Sequence, residues 1–326
     1  MRTLIPTTVV FLALSGFASF ADISRQPGRN AGAFETGRAA YDNRDYAAAL
    51  RIWLPLAQQG NAIAQGVIGE MYHQGEGVAR DDKEAVKWFS LAAAQGDAYA
   101  QWRLGTMYQH GFGITQDFKK AFELFSLSAE QGSPLSEGEL ALSYAHGKGV
   151  KRDNQEAAKW FSLAAAQGDA ISQYFLGLMH LTGEGDVTRE EKEAVRLFTL
   201  SAAQGFSPAQ SKLGTIYGNG LHGIARDDKE AVRWFSLAAS QGEGTGQLNL
   251  GIAYNKGTGV TKDYVRAYMW LTLAVAQRDG SGIDEKERIE GRRLLDVIAN
   301  SMTPAQIEDA QKFATQCKAS NYKNCE

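Results

Sequence analysis

Residues able to carry chemistry are few in this chain. Five histidines, His73, His110, His146, His180 and His222, and two cysteines, Cys317 and Cys325, are the candidate ligands and nucleophiles. A tetrahedral metal site needs three or four imidazole, thiolate or carboxylate ligands around one point. His110 and His146 occupy the same register of two successive repeats, which predicts a separation of roughly 10 Å across stacked helices, too far to share an ion. Ser320 and Lys323 have the Ser-x-x-Lys spacing in which a lysine can activate a serine, but Ser-Asp-Asn and Lys-Thr-Gly companions are missing. Gly242, Gly244 and Gly246 form a glycine run with no strand before it, so it reads as a turn between repeats and not as a phosphate cradle. With no nucleophile beside a base, the sequence predicts neither an enzyme nor a metal or other cofactor.

The two cysteines lie in the tail, where an oxidising compartment would let them pair across a short loop. Such a compartment is what the first twenty-one residues predict. Arg2 precedes an apolar run from Val9 to Leu14, and Ser19-Phe20-Ala21 supplies the small residues a signal peptidase accepts. Cleavage after Ala21 would leave a periplasmic or secreted chain with no membrane span. Of the 326 residues, 34 are Lys or Arg and 37 are Asp or Glu, a balance that offers no general attraction for nucleic acid.

The elements that position these residues are announced by a repeat. Gln-Gly recurs at 59–60, 95–96, 131–132, 167–168, 204–205 and 241–242, a period of 36 or 37 residues. Self-similarity at that period predicts a solenoid. The copies are close: residues 80–95 read RDDKEAVKWFSLAAAQ and residues 226–241 read RDDKEAVRWFSLAASQ. In the unit from Asn61 to Gly96, Ala64, Ile68, Met71 and Tyr72 form the apolar face of a first helix, and Gly75-Glu76-Gly77 ends it. Asp81 caps the second helix, with Glu84 placed to close a capping box, as are Asp153 with Glu156 and Asp227 with Glu230. Ala85, Trp88, Phe89 and Ala92 form its buried face. Trp88, Leu124, Trp160, Leu197, Trp234 and Trp270 share one column, and Tyr72, Tyr108, Tyr144, His180, Tyr217 and Tyr254 another. Both columns are core before they are function. The helical glycine of the recurring Leu-Gly step, as at Leu104-Gly105, predicts a close approach of neighbouring helices.

This pattern, Ala-Gln-x-x-Leu-Gly-x-Met-Tyr, then Gly-x-Gly-Val, Asp, Trp-Phe and Ala-Ala-x-Gln-Gly, resembles the Sel-one-like repeat, a relative of the tetratricopeptide repeat. The resemblance implies an all-α fold, a right-handed α-α superhelical solenoid of antiparallel helix pairs. Six copies are expected at 61–96, 97–132, 133–168, 169–205, 206–242 and 243–277. Ahead of them come a linker at 22–32 and a tetratricopeptide-like hairpin at 33–60 carrying Gly37, Tyr41, Tyr46, Ala49, Leu50 and Trp53. Residues 278–326 are expected to form a helical cap and tail, with a polar linker from Arg278 to Gly282 and Ile307, Ala310, Phe313, Ala314 and Cys317 on one helix face. Thr303-Pro304-Ala305-Gln306 is the start signal of that last helix. Unit four departs from the pattern at Gly183–Val187, where it carries one extra residue, and at Glu190, which stands where other units have aspartate.

The resemblance implies a scaffold for a protein or peptide, in settings such as envelope polysaccharide export or a host interface. In helix-pair solenoids the first helices line the concave side. The expected partner groove therefore consists of Trp102, Arg103, Thr106, His110, Glu139, Leu142, His146, Tyr174, Leu178, Lys212, Asn219, Asn249 and Lys256. A row of Trp, Tyr and Arg among polar neighbours has the composition of an interface hot spot. Two rival readings follow from the same residues: a weak hydrolase of cell-wall or penicillin-like substrates, and a carbohydrate-binding module using the aromatic rings. Relatives linked to penicillin chemistry carry a cysteine pair in each repeat, and the repeats of this chain carry none.

Overall fold

The structure, a computed structural model, describes residues 31–277, 282–323 and 325. The expected signal peptide, nearly all of the linker that follows it, and most of the polar linker at 278–282 lie outside the described residues. Among the described residues there are sixteen α-helices and no strand. They form two compact units, residues up to 169 together with 184–186, and residues 170–183 together with 187 to the end.

In the N-terminal unit α1 (Ala31–Asp42) and α2 (Tyr46–Gln58) make the leading hairpin. Trp53 lies over Gly37, where a methyl group would sit 2.3 Å from its indole nitrogen, and that nitrogen donates to the Phe34 carbonyl at 3.1 Å. Three repeat pairs follow: α3 (Ala62–Gln74) with α4 (Asp82–Ala94), α5 (Ala98–His110) with α6 (Phe118–Ala129), and α7 (Pro134–His146) with α8 (Asn154–Ala166). The C-terminal unit repeats the plan with α9 (Ala170–Thr182) and α10 (Glu191–Ala203), α11 (Ser207–Asn219) and α12 (Asp228–Ala239), and α13 (Gly244–Lys256) and α14 (Tyr264–Val275). It then adds α15 (Glu285–Ala299) and α16 (Pro304–Ala319), both packed on α14.

The turns work as their residues dictate. Gly75 closes α3 in the left-handed region at φ 75°, and Gly77, at φ 73°, comes so near α2 that a methyl group would lie 2.7 Å from the Tyr46 carbonyl oxygen. Asp81, Asp117, Asp153 and Asp227 each accept two backbone amides at the start of a second helix. The capping boxes expected at Asp81, Asp153 and Asp227 are only half made. Glu84, Glu156 and Glu230 reach forward to Lys87, Lys159 and Arg233 at 2.6, 2.5 and 2.6 Å, because a cation three residues on competes with the neutral amide behind. Complete boxes occur at Asp284 with Glu287 and at Thr303 with Gln306.

Packing inside the first five repeat pairs rests on a phenylalanine one residue after the tryptophan column. Phe89, Phe125, Phe161 and Phe198 are almost wholly buried, and each of Gly69, Gly105, Gly177 and Gly214 lies under such a ring. A methyl group on these glycines would stand 2.5 to 2.8 Å from Phe89, Phe125, Phe198 and Phe235. The recurring helical glycine is the seat of a ring. Trp234 and Trp270 are buried, and Trp88 and Trp160 half-buried, so the tryptophan column is core.

A second recurring feature is polar. The glutamine closing each second helix donates its amide to a buried residue of its own pair's first helix: Gln95 to Gln65, Gln131 to Gln101 and Gln167 to Glu137 in the N-terminal unit, at 2.7, 2.8 and 2.8 Å. Gln204 with Gln173, Gln241 with Gln210 and Gln277 with Gln247 do the same in the C-terminal unit.

Small residues set how α16 docks. Ala310, Ala314 and Cys317 are buried, whereas Phe313, expected beside them, is 47% exposed and Ile307 half-buried. The stripe at i, i+4 and i+7 lets the helix approach closely, and the bulkier Phe313 is rotated out of it. Cys317 and Cys325 are joined in a disulfide with Cα atoms 4.7 Å apart.

Candidate interaction surfaces

The histidines serve the turns. His73 Nδ1 lies 2.6 Å from Asp82 Oδ1, tying the end of α3 to the start of α4. His180 meets the Thr188 carbonyl at 2.9 Å, and His222 meets Glu191 at 3.3 Å. His110 stacks on Phe112, with ring centroids 5.3 Å apart. Burial, followed by the positive charge of Lys148, holds the imidazoles of His110 and His146 below their ordinary pKa, with Arg152 adding at His146. Among the described residues no three His, Cys, Asp or Glu side chains are grouped to hold a metal ion. Ser320 donates its hydroxyl to the Cys317 carbonyl at 2.9 Å, so it closes a helix end. Of the glycine run only Gly242 forms a turn, at φ 78°; Gly244 and Gly246 open α13, and a methyl group on Gly246 would meet Ala238 at 2.6 Å.

The residues expected to line a groove divide sharply. Arg103 and Leu142 are buried, 8% and 7% exposed, which corrects their assignment to an open surface. Arg103 Nε lies 2.7 Å from Glu70 Oε2, and the Tyr99 hydroxyl donates to the same oxygen at 3.1 Å. The first helices α3 and α5 therefore meet along this column, and Arg103 faces Glu70 instead of water. Trp102 packs against Tyr99 and under the Arg103 guanidinium, its ring nitrogen buried. Tyr174 sits among Phe175, Phe198 and Phe206, and burial, with some contribution from Glu243, pushes its phenol up to about 12. Leu178 packs on the same cluster.

Half-buried polar members are also engaged. Thr106 donates to the Trp102 carbonyl, Asn249 donates to the Thr245 carbonyl, and Glu139 accepts from Gln109 at 3.1 Å, burial raising its carboxyl. Lys212 lies over the Phe198 ring, and burial lowers its amine. Four expected residues stay exposed: His110 and His146 in the N-terminal unit, Asn219 and Lys256 in the C-terminal unit. All four hold the same place in the last turn of a first helix.

One surface feature was missed by the sequence reading. Leu91, Leu127, Leu163, Leu200 and Leu237 are 40 to 51% exposed. They stand two residues after the buried phenylalanine in the second helices of the first five repeats, a regularity visible in the repeat itself.

Paired helices stacked at a 36- or 37-residue period define an all-α solenoid of helix pairs. Six matches to the Sel1 repeat family cover 62–97, 98–133, 136–169, 170–206, 207–243 and 245–279, more than half of the chain, and the chain belongs to that family. A Sel1 repeat protein from Oxalobacter formigenes is 36% identical, with a TM-score of 0.68, covering 74% of this chain and 98% of that one. A protective antigen of uropathogenic Escherichia coli with an SLR fold is 28% identical, with a TM-score of 0.60, covering 91% of this chain and 71% of that one. No curated protein sequence matches the chain. Sel1 repeats as a class mediate protein–protein interactions and are typically non-enzymatic. Among the described residues no helix is long and apolar enough to cross a membrane.

Proposed function

We propose that the chain is an exported, non-enzymatic scaffold that binds a protein or peptide through the exposed ends of its first helices. The observation that carries this reading is a contrast between columns of the six copies. The ring-bearing column stays aromatic from Phe89 to Phe235, whereas the last-turn position reads Gln74, His110, His146, Thr182, Asn219 and Lys256, exposed in every copy and changing almost every time. A constant frame carrying a varied exposed row is how a repeat protein acquires a partner without altering its fold. Export rests on the signal-like residues 1–21. The Escherichia coli neighbour is a protective antigen, which agrees with a partner in the envelope or at a host interface.

The test is a pull-down from an envelope fraction with the full chain and with the pair His110→Ala and His146→Ala. Loss of a specific protein from the variant is expected. Identical sets of recovered proteins would remove the last-turn row from the argument.

A further inference from the structure

The leucine column contradicts the ordinary behaviour of an exposed repeat position. Leu91, Leu127 and Leu163 in the N-terminal unit are 51, 49 and 50% exposed, and Leu200 and Leu237 in the C-terminal unit are each 40% exposed. A single exposed leucine needs no explanation. Three in the N-terminal unit and two in the C-terminal unit, at one repeat position that stays unchanged where the last-turn row varies freely, give each unit a repeated apolar surface. The sixth member shows what covers such a position. Leu273 is 5% exposed because α16 is seated on α14 beside it, and Leu273, Ala314 and Cys317 belong to one buried cluster.

The neighbours of the exposed leucines are prepared for the same burial. The hydroxyls of Ser90, Ser126, Ser162 and Thr199, one residue earlier, already donate to carbonyls four residues back at 2.7 to 2.9 Å, so a covering partner strands none of these four. One turn before four of the five leucines, Lys87, Lys159, Arg196 and Arg233 are each paired with a glutamate, and Glu123 stands one turn before Leu127. That flank, with its cations paired and an acidic residue before Leu127, favours a protein over an anionic lipid surface.

We propose that the exposed leucines Leu91, Leu127 and Leu163 of the N-terminal unit are a docking surface for an amphipathic helix of a protein partner. That helix presents small residues at i, i+4 and i+7, as α16 presents Ala310, Ala314 and Cys317. This surface is separate from the last-turn row and does not depend on it.

The probe is a fluorescent synthetic peptide of residues 303–320 with Cys317→Ser, titrated against the full chain and followed by anisotropy. Saturable binding is expected, weakened at least tenfold by Leu127→Gln with Leu163→Gln, weakened less by either alone, and unchanged by His110→Ala with His146→Ala. Circular dichroism melts confirm that the variants are folded. Absent binding, binding indifferent to the leucines, or binding lost only in the histidine pair would overturn the proposal. So would leucine-dependent sedimentation with phosphatidylglycerol vesicles, which would make the occupant a membrane, or leucine-dependent dimerisation of the chain, which would make it a second copy.

Discussion

Glu137 takes the place of a glutamine in the buried rung it forms with Gln167, whose Nε2 lies 2.8 Å from Glu137 Oε2. The other five rungs join two amides. Glu137 is 4% exposed, and burial, reinforced by Asp169, raises its carboxyl above the ordinary 4.5 in spite of the Gln167 hydrogen bond. A carboxyl with a raised pKa favours the folded state below its unfolded value, and that contribution is lost as pH rises through the folded value. Glu137→Gln is therefore expected to raise the urea midpoint at pH 7.5 and to leave it nearly unchanged at pH 4. An equal effect at both pH values would show that the charge is not what separates this rung from the others.

The glycine under each ring makes a second expectation. A methyl group on Gly105 would stand 2.6 Å from Phe125, which is fully buried and cannot retreat. Gly105→Ala should cost about 2 kcal/mol, the usual range for overpacking. In the last repeat the corresponding side chain is Leu271, facing Gly251. Phe125→Leu should accordingly relieve part of the Gly105→Ala penalty, and a double-mutant cycle by urea denaturation would read that coupling. Strictly additive losses would mean that the ring is not the obstacle.

Among the second helices of the six repeats, that of unit four alone starts without a side-chain cap. Glu190 makes no side-chain cap to α10, whereas Asp153 accepts from two amides of α8. The longer glutamate carries its carboxylate past the amides that aspartate meets. Glu190→Asp is expected to stabilise the chain by about 1 kcal/mol. Amide hydrogen exchange between Asp186 and Glu191 should be faster than between Lys151 and Glu156 in the parent chain, and should slow in the variant. Equal exchange in the two turns would refute the assignment.

The disulfide acts on the tail. The Tyr322 amide donates to the Cys317 carbonyl at 2.8 Å, and its ring lies where a methyl group on Gly242 would meet it at 2.6 Å. Replacing both cysteines by serine should cost roughly 2.5 kcal/mol in the loop-entropy picture. Exchange at Tyr322 should accelerate while the amides of α12 keep their protection. Acceleration spread equally through α12 would show that the bond supports the repeats as well.

Helix boundaries, caps, turn glycines and the six-fold period were legible because each depends on residues within a few positions of one another. Asp81, Gly75 and the pair Thr303 and Gln306 act on their own turn, so their types announce what they do. The groove was not legible in the same way. Arg103 and Trp102 were placed on a surface because helical spacing assigns a face without saying what stands opposite. Glu70 stands opposite, thirty-three residues earlier. Leu91 was passed over because it lies on the flank of the buried face, and only its 51% exposure separates it from the core.

The repeat, its all-helical character and the stripe each helix buries follow from the amino-acid order alone, since propensity, capping and periodicity are local. The packing of helices within pairs decided which polar side chains became rungs, and the stacking of pairs decided which arginine was sealed against its neighbour and which leucines remained bare. Those outcomes depend on contacts between residues about thirty positions apart, and a pattern of 3.6 residues carries no information about what a neighbouring helix will present.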